Sequence, residues 1–189
     1  GGTGNVIYQT LATTSINFMP ILMDQNQAGQ QGMAFIYRNQ IYTMGGGNSN
    51  MVYGQTPANT QTANTPSLLS VTNPPTGWSQ IVGNMYNACA LSNVGTVYCW
   101  GTNAVGQTGT GDTGTNHTSA TQISFPSPAG AISQIITNSS SEADASASYW
   151  AIDVNGKVFA WGSNGRGELG DGTQTNRGAP VQVGSGTIG

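Results

Sequence analysis

Residues 90–101 and 151–162 spell one pattern twice. Ala90-Leu91-Ser92-Asn93-Val94-Gly95-Thr96-Val97-Tyr98-Cys99-Trp100-Gly101 aligns without a gap on Ala151-Ile152-Asp153-Val154-Asn155-Gly156-Lys157-Val158-Phe159-Ala160-Trp161-Gly162. The same offset carries Asn103 onto Asn164, Gly106 onto Gly167, Gln107 onto Glu168 and Gly109 onto Gly170. A chain that repeats itself in this way is built of copies of one supersecondary unit, each burying its apolar face against a neighbour. A fainter copy precedes them: Ala34-Phe35 and Ile41-Tyr42-Thr43-Met44-Gly45 match Ala90-Leu91 and Val97 to Gly101, with Met44 in place of tryptophan. Upstream of the hairpins, Trp78-Ser79-Gln80-Ile81 matches Ile132-Ser133-Gln134-Ile135, which gives each unit a further strand.

The residues of one unit predict short antiparallel strands. Trp150 to Ile152 is an apolar run that enters Asp153-Val154-Asn155-Gly156, where glycine takes the left-handed conformation of a hairpin loop. Val158 to Trp161 returns. Gly162 to Gly170 is too rich in glycine to stay extended and must turn tightly. Pro180 to Val183 closes the unit, with Pro180 suited to the first position of a strand, where no ladder hydrogen bond is lost. Several short strands in a period of roughly 50 to 60 residues describe a propeller blade better than a helical solenoid.

The run Gly95-Thr96-Val97-Tyr98-Cys99-Trp100-Gly101-Thr102-Asn103-Ala104-Val105-Gly106-Gln107-Thr108-Gly109 resembles the repeat of the regulator of chromosome condensation (RCC1) family, and Gly156 to Gly170 resembles it more closely still. On that resemblance Gly95, Trp100, Gly101, Gly106, Gly109, Gly156, Trp161, Gly162, Gly167 and Gly170 are structural residues of the repeat. The resemblance implies an all-β chain of about three β-propeller blades. The expected division is an N-terminal extension with possible extra strands (1–32), a degenerate repeat (33–77), two clearer repeats (78–130 and 131–183) and a tail (184–189). Relatives usually close a ring of about seven four-stranded blades, so the ring is incomplete within these residues. Other chains, further sequence or non-repeat segments must cover its ends, and Val6 to Tyr8 and Ile16 to Met19 offer strands for the last.

Charge narrows the partners. Only 6% of residues are charged, against about 25% in typical soluble proteins, and the net charge is −3. Arg38, Lys157, Arg166 and Arg177 are too few and too scattered for a phosphate-binding patch, so no nucleic-acid partner is expected. No apolar run reaches the ~20 residues of a membrane helix, so no membrane insertion is expected. Recurrent Ile, Val, Tyr, Phe and Trp between the polar stretches argue against a disordered chain.

Groups that could carry chemistry are sparse. His117 reads as a solvated loop side chain with no orienting partner, and Asp112 and Asp171 read as turn formers in two different units. The glycines from Gly101 to Gly114 follow neither phosphate-binding spacing, and no His/Cys cluster suggests a metal. No catalytic residue, cofactor site or metal site is assigned. If Asn93-Val94-Gly95 forms the hairpin loop, Cys89 faces Cys99 at a separation a disulfide tolerates; two buried thiols are the alternative. Trp100 and Trp161 recur as blade packing, and for Trp78 and Trp150 core packing is preferred to sugar stacking. The segment from Asn138 through Ser141, Glu142, Asp144 and Ser146 is the candidate partner-facing loop.

These observations favour a non-enzymatic module. The first expectation is a virion component (a phage fibre, spike or decoration protein) bound to other protein chains by self-assembly or within the particle. Such a component could also meet a host surface protein or glycan. The alternatives are a secreted or surface-attached bacterial adhesin or inhibitor, since relatives include secreted inhibitors of β-lactamases, and an intracellular RCC1-like regulator. Nucleotide exchange on a small GTPase and chromatin attachment are family functions that the scarcity of Lys and Glu counts against. The expected location is the virion or the extracellular space.

Overall fold

The computed structural model describes residues 20–23, 32–45, 63–84, 86–138 and 147–184. Their regular structure is all strand, in three four-stranded antiparallel sheets. Blade 1 holds β1 (Pro20–Met23), β2 (Gly32–Tyr37), β3 (Gln40–Gly45) and β4 (Ala63–Leu68). Blade 2 holds β5 (Trp78–Gly83), β6 (Asn87–Ser92), β7 (Val97–Gly101) and β8 (His117–Gln122). Blade 3 holds β9 (Ile132–Thr137), β10 (Ser148–Asp153), β11 (Val158–Gly162) and β12 (Arg177–Val183). Each is an up-and-down meander in which neighbours in sequence are neighbours in the sheet. The first sheet thus takes a strand from the segment read as an N-terminal extension. The strands expected at Val6 to Tyr8 and Ile16 to Met19 lie outside the described residues.

The hairpins of blades 2 and 3 keep one register: Ala90 opposes Tyr98 and Cys89 opposes Cys99, as Ala151 opposes Phe159 and Trp150 opposes Ala160. Blade 1 departs from the sequence alignment by one residue. Its β2–β3 hairpin turns through Arg38 and Asn39 alone, both at positive φ (47° and 60°), so Phe35 rather than Ala34 opposes Tyr42. A one-residue slip exchanges the faces of a strand. Ala34, Ile36, Ile41 and Thr43 are accordingly the buried set, while Phe35 stacks on Tyr42 with ring centroids 5.5 Å apart.

All three sheets slip register at the same place, between Thr43 and Gly45, between Cys99 and Gly101, and between Ala160 and Gly162. The glycine after each repeat tryptophan explains the slip. Gly101 (φ 107°) and Gly162 (φ 98°) occupy backbone conformations that side chains disfavour. A Cβ at either would overlap a carbonyl oxygen, that of Tyr86 or of Ala147. This bulge bends the chain out of the sheet and into the glycine-rich loop. Pro180 does not begin its strand as expected. It lies inside β12, between the Gly162–Arg177 and Ala160–Val181 pairings, where the same irregularity spares it a ladder bond.

Blades stack face to face around two apolar clusters. One joins Ala34, Ile36 and Ile41 to Trp78, Ile81, Ala88, Ala90, Tyr98 and Trp100; the other joins Cys89, Leu91, Val97 and Cys99 to Ile132, Ile135, Tyr149, Ala151, Phe159 and Trp161. Each inner blade therefore receives one neighbour on the Tyr-x-Trp side of its third strand and offers the other side onward. Val71 bridges to Ala120 in parallel, with Thr72 N–H donating to the Ala120 carbonyl at 3.0 Å, so the chain leaving blade 1 covers the edge of β8.

Candidate assembly interface

The joint between blades 2 and 3 shows what one blade requires of the next. Trp161 is fully buried, stacked on Tyr149 (centroids 5.6 Å) and edge-on to Phe125 (5.9 Å). Its indole Nε1–H donates to the Gln107 carbonyl of the preceding blade at 3.1 Å. Gly106 and Gly109 let the loop come this close. A Cβ at Gly106 would stand 2.5 Å from the Gly178 Cα, and one at Gly109 would stand 2.9 Å from the indole ring. Gly111 N–H donates to the Gly178 carbonyl (2.8 Å). Gln80 clasps the next blade's backbone with both ends of its amide: Nε2 donates to the Ile135 carbonyl (2.7 Å) and Oε1 accepts from Ile135 N–H (2.9 Å). The buried Tyr149 hydroxyl, whose pKa burial pushes up, donates to Asn87 Oδ1 at 2.5 Å.

Blade 3 presents the same set of groups, and among the described residues none packs against it. Strand pairing places Gln134 where Gln80 stands, Ile152 and Val158 where Leu91 and Val97 stand, and Trp150 and Ala160 where Cys89 and Cys99 stand. The blade 2 residues of this set are buried except the part-buried Gln80, whereas Gln134 is exposed and Trp150, Ile152 and Val158 are partly exposed. Ile136 beside them is 42% exposed. A Cβ at Gly170 would meet nothing within 4 Å, where one at Gly109 would meet the Trp161 ring of blade 3.

Below each joint a carboxylate ties the glycine loop to the outer strand. Asp171 accepts from Thr173 N–H (2.9 Å), Thr173 Oγ1 (2.8 Å), Asn164 Nδ2 (3.0 Å) and Arg177 Nε (2.6 Å). Burial alone would raise its pKa, but the Thr173 hydroxyl and amide, Arg177 and Asn164 outweigh it and hold Asp171 at about 2. In blade 2 the partners are exchanged: Asp112 accepts from Thr110 Oγ1 and pairs with His117 Nε2 at 3.1 Å. The Thr110 hydroxyl is the main cause of that carboxyl's lowered pKa; burial opposes it and His117 adds to it. His117 is thus not a solvated loop side chain. It opens β8 opposite Gly101, with its side chain 20% exposed and Asp112 beside it. Asp112 and Thr110 converge on one ring nitrogen, the geometry of a clamp and not of a relay that holds one nitrogen and works with the other.

A carboxylate held below its unfolded pKa adds stability that is complete above that pKa and is lost as pH falls through the folded value. For Asp171 the window runs from the ordinary 3.8 down to about 2. Stability should therefore fall with acidification across that range, and Asp171→Asn should lower the neutral-pH plateau while flattening the acid decline. Urea unfolding midpoints measured from pH 7 to pH 2 test this; an unchanged decline in the variant would contradict it.

The other residues singled out in the sequence fall as follows. Cys89 and Cys99 are joined by a disulfide, both fully buried, with Cα atoms 4.1 Å apart. It closes a short loop, so replacing both cysteines with alanine is expected to cost about 2–3 kcal/mol, read as a lower unfolding midpoint under non-reducing conditions. Gly95 and Gly156 close the β6–β7 and β10–β11 turns at positive φ. Trp100 is fully buried between blades 1 and 2, and Trp78 sits edge-on to Tyr98 at 5.2 Å, so both are core. Asn138 bonds back to Ser148, accepting from its N–H at 2.7 Å, and so closes the neck of the candidate loop. Ser141, Glu142, Asp144 and Ser146 lie outside the described residues. Sequence reasoning missed Gln80 as an interface residue, although its recurrence as Gln134 was visible. It also missed the Asp171–Arg177 clamp and the hub at Asp153, whose carboxylate accepts from Gly130, Asn155 and Lys157 N–H.

Residues 155–187 match the family model described as the regulator of chromosome condensation (RCC1) repeat. That segment, in blade 3, is an RCC1-type repeat. Solved structures agree on the fold. Human WBSCR16 is 19% identical, with a TM-score of 0.64 over 82% of this chain and 37% of that one. Prp20p from Saccharomyces cerevisiae is 13% identical, with a TM-score of 0.63 over 87% and 38%. Yeast RCC1 (Prp20) with Kap60 bound gives 16% identity and a TM-score of 0.64 over 94% and 40%. These likenesses establish an RCC1-type propeller with an open ring; the chain spans about two fifths of the length of the structures it matches.

Proposed function

We propose that this RCC1-type propeller is a non-catalytic structural and binding module, a fibre, spike or decoration component of a virion that joins other protein chains through its open blade face. The observation that carries the assembly part is the open face of blade 3, which repeats at Gln134, Ile152 and Val158 the pattern that blade 2 buries at Gln80, Leu91 and Val97. Ile136, 42% exposed beside the partly exposed Trp150, Ile152 and Val158, supports an interaction site on this face. The charge-poor composition supports a particle that gains its stability from assembly. The buried Cys89–Cys99 disulfide supports a place outside a reducing cytosol, which fits a secreted or surface-attached adhesin as well. A contact with a host surface protein or glycan would then fall to the blade rims.

A second reading, an intracellular regulator, is favoured by the fold shared with Prp20p, whose binding properties to Gsp1p and histones have been described. With four Lys and Arg residues in the chain, a histone- or chromatin-facing role has little charge to work with. Density-gradient fractionation of the source separates these readings. Co-sedimentation of the chain with intact particles is the expected result. Recovery only in soluble fractions, together with acceleration of nucleotide release from a small GTPase, would overturn it.

A further inference from the structure

We infer that blade 3 is a redox lid on the Cys89–Cys99 disulfide: the bond closes before blade 3 docks on blade 2, and docking then seals it from thiol reagents. This goes beyond the assembly reading above and does not rest on it. Cys89 and Cys99 face each other on β6 and β7, the two inner strands of blade 2, 10 residues apart in the chain. Val82 of β5 pairs with Cys89 on one side and Thr121 of β8 with Cys99 on the other, so neither cysteine lies at a sheet edge. Alternation along the strands sends Ala88, Ala90, Tyr98 and Trp100 to the blade 1 cluster, and Cys89, Leu91, Val97 and Cys99 to the blade 3 cluster. There Ile132, Ile135, Tyr149, Ala151, Phe159 and Trp161 complete the cover, and both cysteines are fully buried. Among the described residues, blade 3 is the part of that cover that can lift away while the four strands of blade 2 stay paired. Trp150 and Ala160 hold the equivalent positions in blade 3, so the cysteine pair is an addition to the blade and not part of its framework.

Exchange requires a thiolate to reach one of the two sulfurs, form a mixed disulfide with it and release the other cysteine as a thiolate. With a small dithiol as reductant, its second thiol then displaces the remaining cysteine. The dithiol leaves as a cyclic disulfide, and Cys89 and Cys99 take up the two electrons and two protons it gives. Formation runs the same exchange in reverse, with a small disulfide as the oxidant that is reduced. Neither direction can begin on sulfurs buried under blade 3, so both wait for the joint to open. The order along the chain suits this. Blade 2 ends at Gln122, before the first strand of blade 3 begins at Ile132, and N-terminal units fold first during synthesis.

The test treats the full, folded chain with a small dithiol, traps freed cysteines by alkylation and follows their appearance by mass. Trp161→Ala is expected to speed reduction by about a hundredfold or more, the factor that corresponds to ~2.7 kcal/mol of lost joint stability. Gln80→Ala, which removes the clasp on Ile135 and leaves the apolar joint in place, should speed it by a smaller factor. Ile41→Ala is the control: it weakens the packing of blade 1 on the opposite face of blade 2 and should leave the rate unchanged. The reverse arm starts from the reduced chain and a small disulfide oxidant, and the same ranking of oxidation rates is expected. A native chain that reacts as fast as Trp161→Ala would overturn the inference, because the bond would then be open to reagents with blade 3 docked. Equal acceleration by Ile41→Ala would overturn it too, because the bond would then be freed by unfolding of the whole chain. If Trp161→Ala does not fold, Gln80→Ala against Ile41→Ala makes the same comparison.

Discussion

Replacing Trp161 with alanine is expected to cost about 3–5 kcal/mol and to separate blade 3 from blade 2 before the rest of the chain unfolds. The loss comes from three sources. A fully buried indole leaves a cavity between Tyr149 and Phe125, the Gln107 carbonyl loses its donor across the joint, and the loop from Gly106 to Gly109 loses the surface it packs on. Trp161→Phe divides these contributions. It keeps an aromatic ring but removes the N–H, and an unpaired buried carbonyl costs about 1–3 kcal/mol. Hydrogen exchange by mass spectrometry checks the order of events: in Trp161→Ala, β9 to β12 should lose protection while β6 and β7 keep theirs. Uniform loss over both blades would show that the joint and the blades melt as one unit.

The second large effect is expected at Gly101. Alanine there must adopt a φ near 107° and place its Cβ on the Tyr86 carbonyl oxygen and the Asn87 backbone, so both strain and overlap oppose it. Strain at a disfavoured φ and overpacking each cost about 1–3 kcal/mol, which makes a combined loss of about 3 kcal/mol or more. Gly111 is the control: its φ is 98°, yet nothing lies within 4 Å of a Cβ, so Gly111→Ala carries the backbone strain alone. Urea unfolding of the two variants should give clearly different midpoints. Equal losses would show that the bulge does not need the close approach to Tyr86.

The propeller itself was legible because its signals are periodic. Trp-Gly at a constant offset, paired hairpins of one length and loop glycines at repeated positions all survive without an alignment, and they place the Cys89–Cys99 and Trp150–Ala160 pairs opposite each other. Blade 1 misled by one residue because its hairpin is shorter, a length difference that matching Ala34 to Ala90 could not reveal. His117 misled for another reason. Its partners Asp112 and Thr110 sit in the exchanged order of Asp171 and Thr173, so matching residues by position hid a clamp that matching by contact shows. The joint was least legible where it uses main chain. The Gln107 carbonyl that receives the indole has no side-chain signature, whereas Gln80 and Gln134 recurred in plain view and lacked only the knowledge of which strand face meets the next blade.

Electron microscopy of the native assembly tests the central claim most directly. Another protein chain resolved against Trp150, Ile152 and Gln134 is the predicted result. A map in which that face of blade 3 meets only solvent would contradict the account.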